Sequence, residues 1–205
     1  MKTVSINNRL ITPSKIICVG RNYVAHIAEL GNEIPNEMVV FNKPNSAISC
    51  ELQSHHDEQL HYEAELCFVV ENNQLSAVGI GLDITKRNLQ SKLKAKGLPW
   101  ERAKAFDGSA VFSDFFPLNQ AEINDTLSLE LIINDKVVQS GGVSLMMYKP
   151  EEILTELITY TSFEDGDIIM TGTPSGVGLI HKDTTFKGRV IYNNQEIITA
   201  LWKAV

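Results

Sequence analysis

His61-Tyr62-Glu63-Ala64-Glu65-Leu66-Cys67-Phe68-Val69-Val70 is the stretch on which the reading of this chain turns. Its aromatic and β-branched tail reads as a buried strand, placed over Tyr62 to Val70. Side chains two apart in a strand share a face. Tyr62, Ala64 and Leu66 therefore point one way, and Glu63 and Glu65 the other. Two neighbouring carboxylates on a buried strand repel each other and lose hydration. A divalent cation is the economical compensation, because hard cations take oxygen ligands and Mg²⁺ suits a few carboxylates plus substrate oxygens. A third carboxylate, Asp83, stands among the aliphatics of Val78-Gly79-Ile80-Gly81-Leu82-Asp83-Ile84. Against this, a Glu-x-Glu pair is more often a solvated strand face, and short motifs match by chance.

Outward from that strand, the pattern is strand-rich. Thr3 to Ile11 reads as a short hairpin about Asn7-Asn8, and Lys15 to Val19 as a buried strand ending at Gly20. Asn22 is placed as the cap of a short helix carrying Ala25, His26, Glu29 and Leu30, ended by Gly31. Met38 to Phe41 reads as a strand, His55 to Gln59 as a loop, and Ala77 to Ile84 as a strand or short helix. Lys86 to Lys96 reads as a polar helix closed by Gly97. Leu127 to Ile133 alternates and turns at Asn134-Asp135 into Val137-Val138. Pro150 opens an amphipathic helix through Tyr160. A strand from Asp167 to Met170 runs into the loop Thr171-Gly172-Thr173-Pro174-Ser175-Gly176-Val177-Gly178. Two last strands flank Asn193-Asn194. Many strands without a regular βαβ rhythm indicate an α+β, mainly β roll. We expect one domain over 1–205, with 1–14 a short appendage.

Composition narrows the function. The 205 residues are 43% hydrophobic and 21% charged, with Lys plus Arg at 18, Asp plus Glu at 25 and a formal charge of −7. No long basic run offers a phosphate footprint, so nucleic acid is not an expected partner. No apolar stretch approaches the roughly 20 residues of a membrane helix, and the first residues lack a signal-peptide h-region. The cytoplasm is the expected location. The three cysteines, Cys18, Cys50 and Cys67, are odd in number and set among apolar residues; each is expected to pack as a small hydrophobe.

Three further features carry chemistry. His26 and Glu29 are three apart, on one helix face. A carboxylate accepting from one imidazole nitrogen makes the other the basic one, as a general base needs; a surface His beside a helical Glu is the plainer reading. Lys104, in Pro99-Trp100-Glu101-Arg102-Ala103-Lys104, is placed to hold a carboxylate or an enolate charge, although its local sequence alone favours an ordinary solvated lysine. The loop at Thr173 offers backbone N–H groups and a hydroxyl to a carboxylate, and is equally a tight structural turn. It is neither a P-loop nor a dinucleotide fingerprint.

Taken in order, the motifs Gly20-Arg21-Asn22-Tyr23, His26-x-x-Glu29, Phe41-x-Lys43-Pro44, Tyr62-Glu63-x-Glu65-Leu66, Asp83-x-Thr85-x-Arg87, Gly97-x-Pro99-Trp100-x-x-x-Lys104 and Gly172-Thr173-Pro174-x-Gly176-Val177-Gly178 resemble the fumarylacetoacetate hydrolase family, in its short single-domain form. The resemblance spans about residues 15 to 202. It implies a mixed β-sandwich roll with a few short helices, a homodimer, and Mg²⁺ (Mn²⁺ or Ca²⁺ in some members). It implies Glu63, Glu65 and Asp83 as metal ligands, and His26, Glu29 and Lys104 as catalytic residues, the first two on a segment ordered by ligand. Arg21, Gln90 and Thr173 become substrate contacts. One departure is Arg87-Asn88, where the family usually reads Arg-Asp. The implied activity is C–C cleavage in a small 2-oxo or 2,4-dioxo acid, with acylpyruvate hydrolysis first and oxaloacetate decarboxylation next. An isomerase or hydratase of similar diacids is a further alternative, and a catalytically weak metal- and 2-oxo-acid-binding protein is the rival of a different class.

Overall fold

The computed structural model describes residues 1–29, 31 and 33–205. The chain opens with the hairpin β1 (Val4–Ile6) and β2 (Arg9–Ile11), then β3 (Lys15–Gly20) and helix α1 (Val24–Glu29). β4 (Val39–Pro44), β5 (Ile48–Ser49), β6 (His55–His56), β7 (Glu58–Gln59) and β8 (His61–Tyr62) follow. β9 (Ala64–Glu71) and β10 (Gln74–Asp83) form the central hairpin, followed by α2 (Arg87–Ala95), β11 (Ala110–Phe112) and β12 (Phe116–Pro117). β13 (Ser128–Ile133), β14 (Lys136–Gly142), α3 (Pro150–Leu157), β15 (Ile168–Met170), β16 (Gly178–Leu179), β17 (Thr185–Tyr192) and β18 (Gln195–Lys203) complete it.

An eight-stranded mixed sheet runs β4-β3-β15-β9-β10-β11-β5, with β12 also paired to β10; a four-stranded sheet runs β14-β13-β17-β18. The alternation expected of the central strand holds along β9. Ala64, Leu66, Phe68 and Val70 enter the core shared with the four-stranded sheet, beside Leu129, Leu131, Phe186 and Val190. Cys67 and Val69 join a second cluster with Ile16, Cys18, Phe41 and Met170. The amino-terminal hairpin contributes Val4, Ile6 and Ile11 to that second cluster. It is also stitched to the body by Asn7 N–H to Phe115 O (3.2 Å) and Phe115 N–H to Ser5 O (2.7 Å).

The turns behave as their residues demand. Asn72-Asn73, Asn134-Asp135 and Asn193-Asn194 all take positive φ, the conformation of tight hairpins whose twist matches the strands. The structure corrects several local expectations. The strand expected from Tyr62 to Val70 is broken at Glu63, so β8 pairs with β16 while β9 enters the large sheet. Residues 55–59 form a small hairpin about Asp57, whose φ is 63°. The run from Ala77 is a strand, and α3 ends at Leu157. Cys50 is exposed, whereas Cys18 and Cys67 are buried. Leu30 lies outside the described residues.

Asn22 does not cap α1. It is fully buried, donates to Tyr148 O and Thr171 O at 2.9 Å each, and accepts from Tyr148 N at 2.7 Å. A short polar side chain at a strand exit satisfies distant backbone groups there in place of a helix end.

Asp167 locks the start of β15 to the start of β3. It accepts from Ser14 N (2.8 Å), Lys15 N (3.1 Å), Lys15 Nζ (2.6 Å) and Glu164 N (3.0 Å). Burial pushes its carboxyl up, but the Lys15 bond and the backbone donors outweigh burial and hold it below the usual range. A carboxyl depressed in the folded state stabilises above its unfolded value, near 3.9, and that stability is lost as pH falls further. Asp167→Asn is expected to cost about 1.5–3 kcal/mol at pH 7. Urea unfolding at pH 7 and at pH 3 checks this, the difference between variant and wild type shrinking in acid.

Candidate active site

The large sheet brings the three carboxylates together by register. Gly81 pairs with Glu65 and Leu82 with Ala64, and Asp83 N–H donates to Glu63 O at 2.8 Å. Cross-strand partners share a face, so Asp83 stands opposite Glu63. One oxygen of each of Glu63, Glu65 and Asp83 lies within 4.8 Å of the others, and all three residues are buried.

Two buried lysines serve this acidic floor. Lys104, expected locally as a solvated lysine, is 2% exposed. Its Nζ donates to Glu63 Oε2 (2.8 Å), Thr85 Oγ1 (2.6 Å) and Asp83 Oδ2. Lys43, quoted in a motif but given no role from sequence, is fully buried, with Nζ 2.8 Å from Asp83 Oδ1 and donating to Lys104 O. The sequence signal for Lys43 is its place two residues after Phe41, on the same strand face. Arg87 pairs with Glu63 Oε1 and also donates to Gln90 Oε1 at 2.9 Å.

Charge is unevenly balanced across the triad. For Glu63, burial raises the carboxyl, but Lys104 and Arg87 overcome this and hold it well below the usual range. For Glu65, burial and the charges of Asp83 and Glu63 push the carboxyl well above it, with Gly172 N–H at 2.7 Å as a partial counterweight. Lys104 is held up by Asp83 and Glu63 against the opposing effect of burial. Asp83 Oδ1 is buried and has the Lys43 ammonium, 2.8 Å away, as its charge partner. An all-oxygen donor set of three buried carboxylates, one of them uncompensated, fits a hard divalent cation.

Above the floor lies a cavity of about 540 Å³ lined by Glu63, Glu65, Asp83 and Lys104, and by His26, Arg21, Gln90 and Thr173. All nine residues singled out from sequence are thus at or beside one site, Glu29 entering through His26. His26 Nδ1 lies 3.1 Å from Glu29 Oε2. Glu29 Oε1 accepts from Gly176 N at 3.0 Å, so the Thr173 loop seats the helix. A carboxylate can only accept, so the shared proton sits on Nδ1 and Nε2 is the basic nitrogen. The Thr173 hydroxyl donates to Ala64 O at 2.9 Å and accepts from Gln139 Nε2 at 2.8 Å. Its proton is therefore engaged by the carboxylate strand. Asn88 is exposed, and its N–H is taken by Glu58 Oε1 at 3.0 Å. The departure from Arg-Asp therefore falls at the solvent side of α2.

Lys94 was given no role from sequence. It lines the cavity rim with its ammonium 4.9 Å from the Trp100 ring. Lys94 is exposed, and partial burial of its ammonium, then Arg21, Lys104 and Arg87, bring it down to about 8. Only its tertiary neighbours distinguish it from Lys92 and Lys96.

Two packed β-sheets with an acidic triad beneath a cation-lined cavity define an enzyme for small anionic substrates. Residues 15–200 match the family described as fumarylacetoacetate (FAA) hydrolase C-terminal, and the chain belongs to the fumarylacetoacetate hydrolase family. It is 35% identical over 206 residues to the mitochondrial oxaloacetate tautomerase of Schizosaccharomyces pombe, covering 90% of this chain and 92% of that one. It is 33% identical over 195 residues to the mitochondrial oxaloacetate decarboxylase of Dictyostelium discoideum, covering 86% and 88%. A crystal structure of a protein from Oleispira antarctica superposes over all of both chains at a TM-score of 0.93 and 30% identity. The fold and family expected from the motifs hold. Among the described residues, no helix is long and apolar enough to cross a membrane.

Proposed function

We propose that this chain interconverts the enol and keto forms of oxaloacetate, with Glu63, Glu65 and Asp83 holding a Mg²⁺ ion (Mn²⁺ or Ca²⁺ serving the same oxygen set). The observation that carries the substrate is the charge layout of the cavity. Its lining sets three carboxylates against the four cations Arg21, Arg87, Lys94 and Lys104. Once a divalent ion neutralises most of the triad, the remaining positive charge suits a dicarboxylate better than a monocarboxylate. Oxaloacetate is also the acid named for both relatives above.

A bound divalent ion supplies Lewis-acid polarisation of the 2-oxo group. Lys104, protonated between Glu63 and Asp83, places an ammonium beside the oxygen where enolate charge develops. His26 removes a proton from C3 through Nε2, and Glu29 holds its ring and stabilises the imidazolium. Reprotonation at oxygen gives the enol, and the reverse order gives the ketone. The helix carrying His26 lines the cavity with His26 and Ile27. Loss of the distal carboxylate as CO₂ passes through the same enolate, which makes decarboxylation the second reading. Acylpyruvate hydrolysis, ranked first from sequence, needs only that His26 activate water instead, and stays in the test. As part of this proposal the chain is one catalytic domain that acts as a homodimer in the cytoplasm.

The test follows enol absorbance for oxaloacetate, coupled pyruvate release, and acetylpyruvate cleavage, each with Mg²⁺ and with EDTA. Enol decay accelerated beyond Mg²⁺ alone and abolished by EDTA is expected; acceleration of acetylpyruvate cleavage only would reverse the ranking. Lys94→Met is expected to raise KM for oxaloacetate about tenfold, roughly 1.4 kcal/mol, and leave KM for acetylpyruvate nearly unchanged. Because a lysine loses its charge as pH rises through its pKa, wild-type KM for oxaloacetate should climb above pH 8 or so.

A further inference from the structure

The backbone ladder between β15 and β9 stops before the carboxylates. Its last paired residues are Met170 and Cys67. Beyond them one more backbone bond forms, Thr171 N–H to Leu66 O at 3.2 Å, and side chains add to it. Thr171 Oγ1 donates to Leu66 O at 2.8 Å and Thr173 Oγ1 to Ala64 O at 2.9 Å. Ala64 N–H, in the peptide that joins Glu63 to Ala64, also turns to a side chain. It donates at 2.9 Å to Oε1 of Gln139, a residue of β14 in the other sheet.

Gln139 is 1% exposed. Its Nε2 donates to Thr173 Oγ1 and to Pro174 O, each at 2.8 Å. Ala64 N–H can only donate and Pro174 O can only accept, so the amide has one orientation, with both N–H groups and the oxygen partnered. The loop it holds lies hard against the same strand. A Cβ at Gly176, where φ is +101°, would meet Val138 O at 1.9 Å, so only glycine permits this seating. That glycine's N–H is the group that seats Glu29.

We propose that Gln139 is a positioning residue for the active site. By clamping the Glu63–Ala64 peptide to the Thr173 loop, it sets the spacing of the two glutamate ligands. By holding that loop, it also sets where Glu29, and through it His26, is placed. A buried amide whose three partners belong to the ligand strand and the loop that seats α1 joins the two halves of the site. The inference rests on the reading of Glu63, Glu65 and Asp83 as a metal site, but not on the identity of the substrate.

Two variants separate the arms. Gln139→Met keeps the volume and loses all three bonds. Gln139→Glu keeps an acceptor for Ala64 N–H and loses both donations. The readouts are Mn²⁺ binding by calorimetry without substrate, kcat and KM, and melting temperature. Gln139→Met is expected to weaken Mn²⁺ binding by about tenfold or more, on the scale of other outer partners of metal ligands. Its kcat should fall as far, with KM within about threefold. Gln139→Glu is expected to keep Mn²⁺ affinity within about threefold but lose kcat by about tenfold, because only the loop is released. If Gln139→Met lowers the melting temperature yet leaves Mn²⁺ binding and kcat at wild-type values, or if Gln139→Glu retains full kcat, the positioning role is wrong. Wild-type protein that binds no Mn²⁺ overturns the metal reading and this inference together. Wild-type protein that binds Mn²⁺ but ignores oxaloacetate overturns only the substrate, and Gln139 is then judged on Mn²⁺ affinity.

Discussion

Glu65→Gln is expected to abolish Mn²⁺ binding while raising the melting temperature of the metal-free protein. Glu65 is 2% exposed, and its carboxyl is pushed well up by burial and by the charges of Asp83 and Glu63. Lys104, Lys43 and Arg87 are bonded to the other two carboxylates. Glutamine keeps the volume and an oxygen for Gly172 N–H, so the fold loses a buried charge without losing a partner. Each kcal/mol recovered raises the melting temperature by roughly 2–4 °C. The sign with pH follows from the upward shift. Below the unfolded value, near 4.3, both states of the wild type hold the proton and the penalty vanishes; it grows as pH rises above that value. Wild type and variant should therefore melt together in acid and diverge toward neutrality. Affinity for Mn²⁺ should fall by more than the ~10–100-fold that loss of an outer partner costs, and turnover with it. A variant that still binds Mn²⁺ at wild-type affinity would mean that Glu65 is not a ligand.

His26→Ala should do the opposite, sparing the metal and removing the proton transfer. His26 touches none of the three carboxylates by hydrogen bond; its partner is Glu29 at 3.1 Å. General acid–base catalysis is worth roughly 10²–10⁴-fold, and kcat should fall by that factor with Mn²⁺ affinity unchanged. Glu29→Gln should cost less, since Gly176 N–H at 3.0 Å still anchors the side chain and the imidazole loses only its orienting charge. Unaltered enol decay in His26→Ala would remove the histidine from the mechanism.

Much of this molecule is written in local pattern. Asn134-Asp135 and Asn193-Asn194 mark their hairpins because both residues of each pair accept positive φ. Pro150 followed by Ile153, Leu154 and Leu157 marks α3 because those apolar positions share one helix face, and all three are buried. Less legible are residues whose partners are remote in sequence. Lys43 reads as one polar residue in a strand, and nothing near it announces Asp83. Gln139 carries no local signal, yet it reaches into the other sheet. Asn22 has the residue type of a helix cap and is consumed by Tyr148 and Thr171 instead. In each case a side chain satisfies groups that only packing brings near.

The carboxylate strand shows where the boundary between the two lies. A period of two is a property of extended backbone, so the sequence alone determined that Glu63 and Glu65 share a face and that Ala64 and Leu66 face the other core. Whether Asp83 joins them depends on pairing register. At the turn end, Gln74 lies opposite Glu71 and Leu75 opposite Val70; past a bulge at Ser76, Ala77 lies opposite Val69. Were Ser76 paired with Val69 instead of bulged, Leu82 would stand opposite Glu63 and Asp83 would point into the apolar core. A one-residue slip moves every later side chain to the other face. No local pattern announces the bulge. It is set where Ser76 O accepts from Leu118 N–H and the strand beyond must meet β9, so the third carboxylate was placed by the tertiary structure.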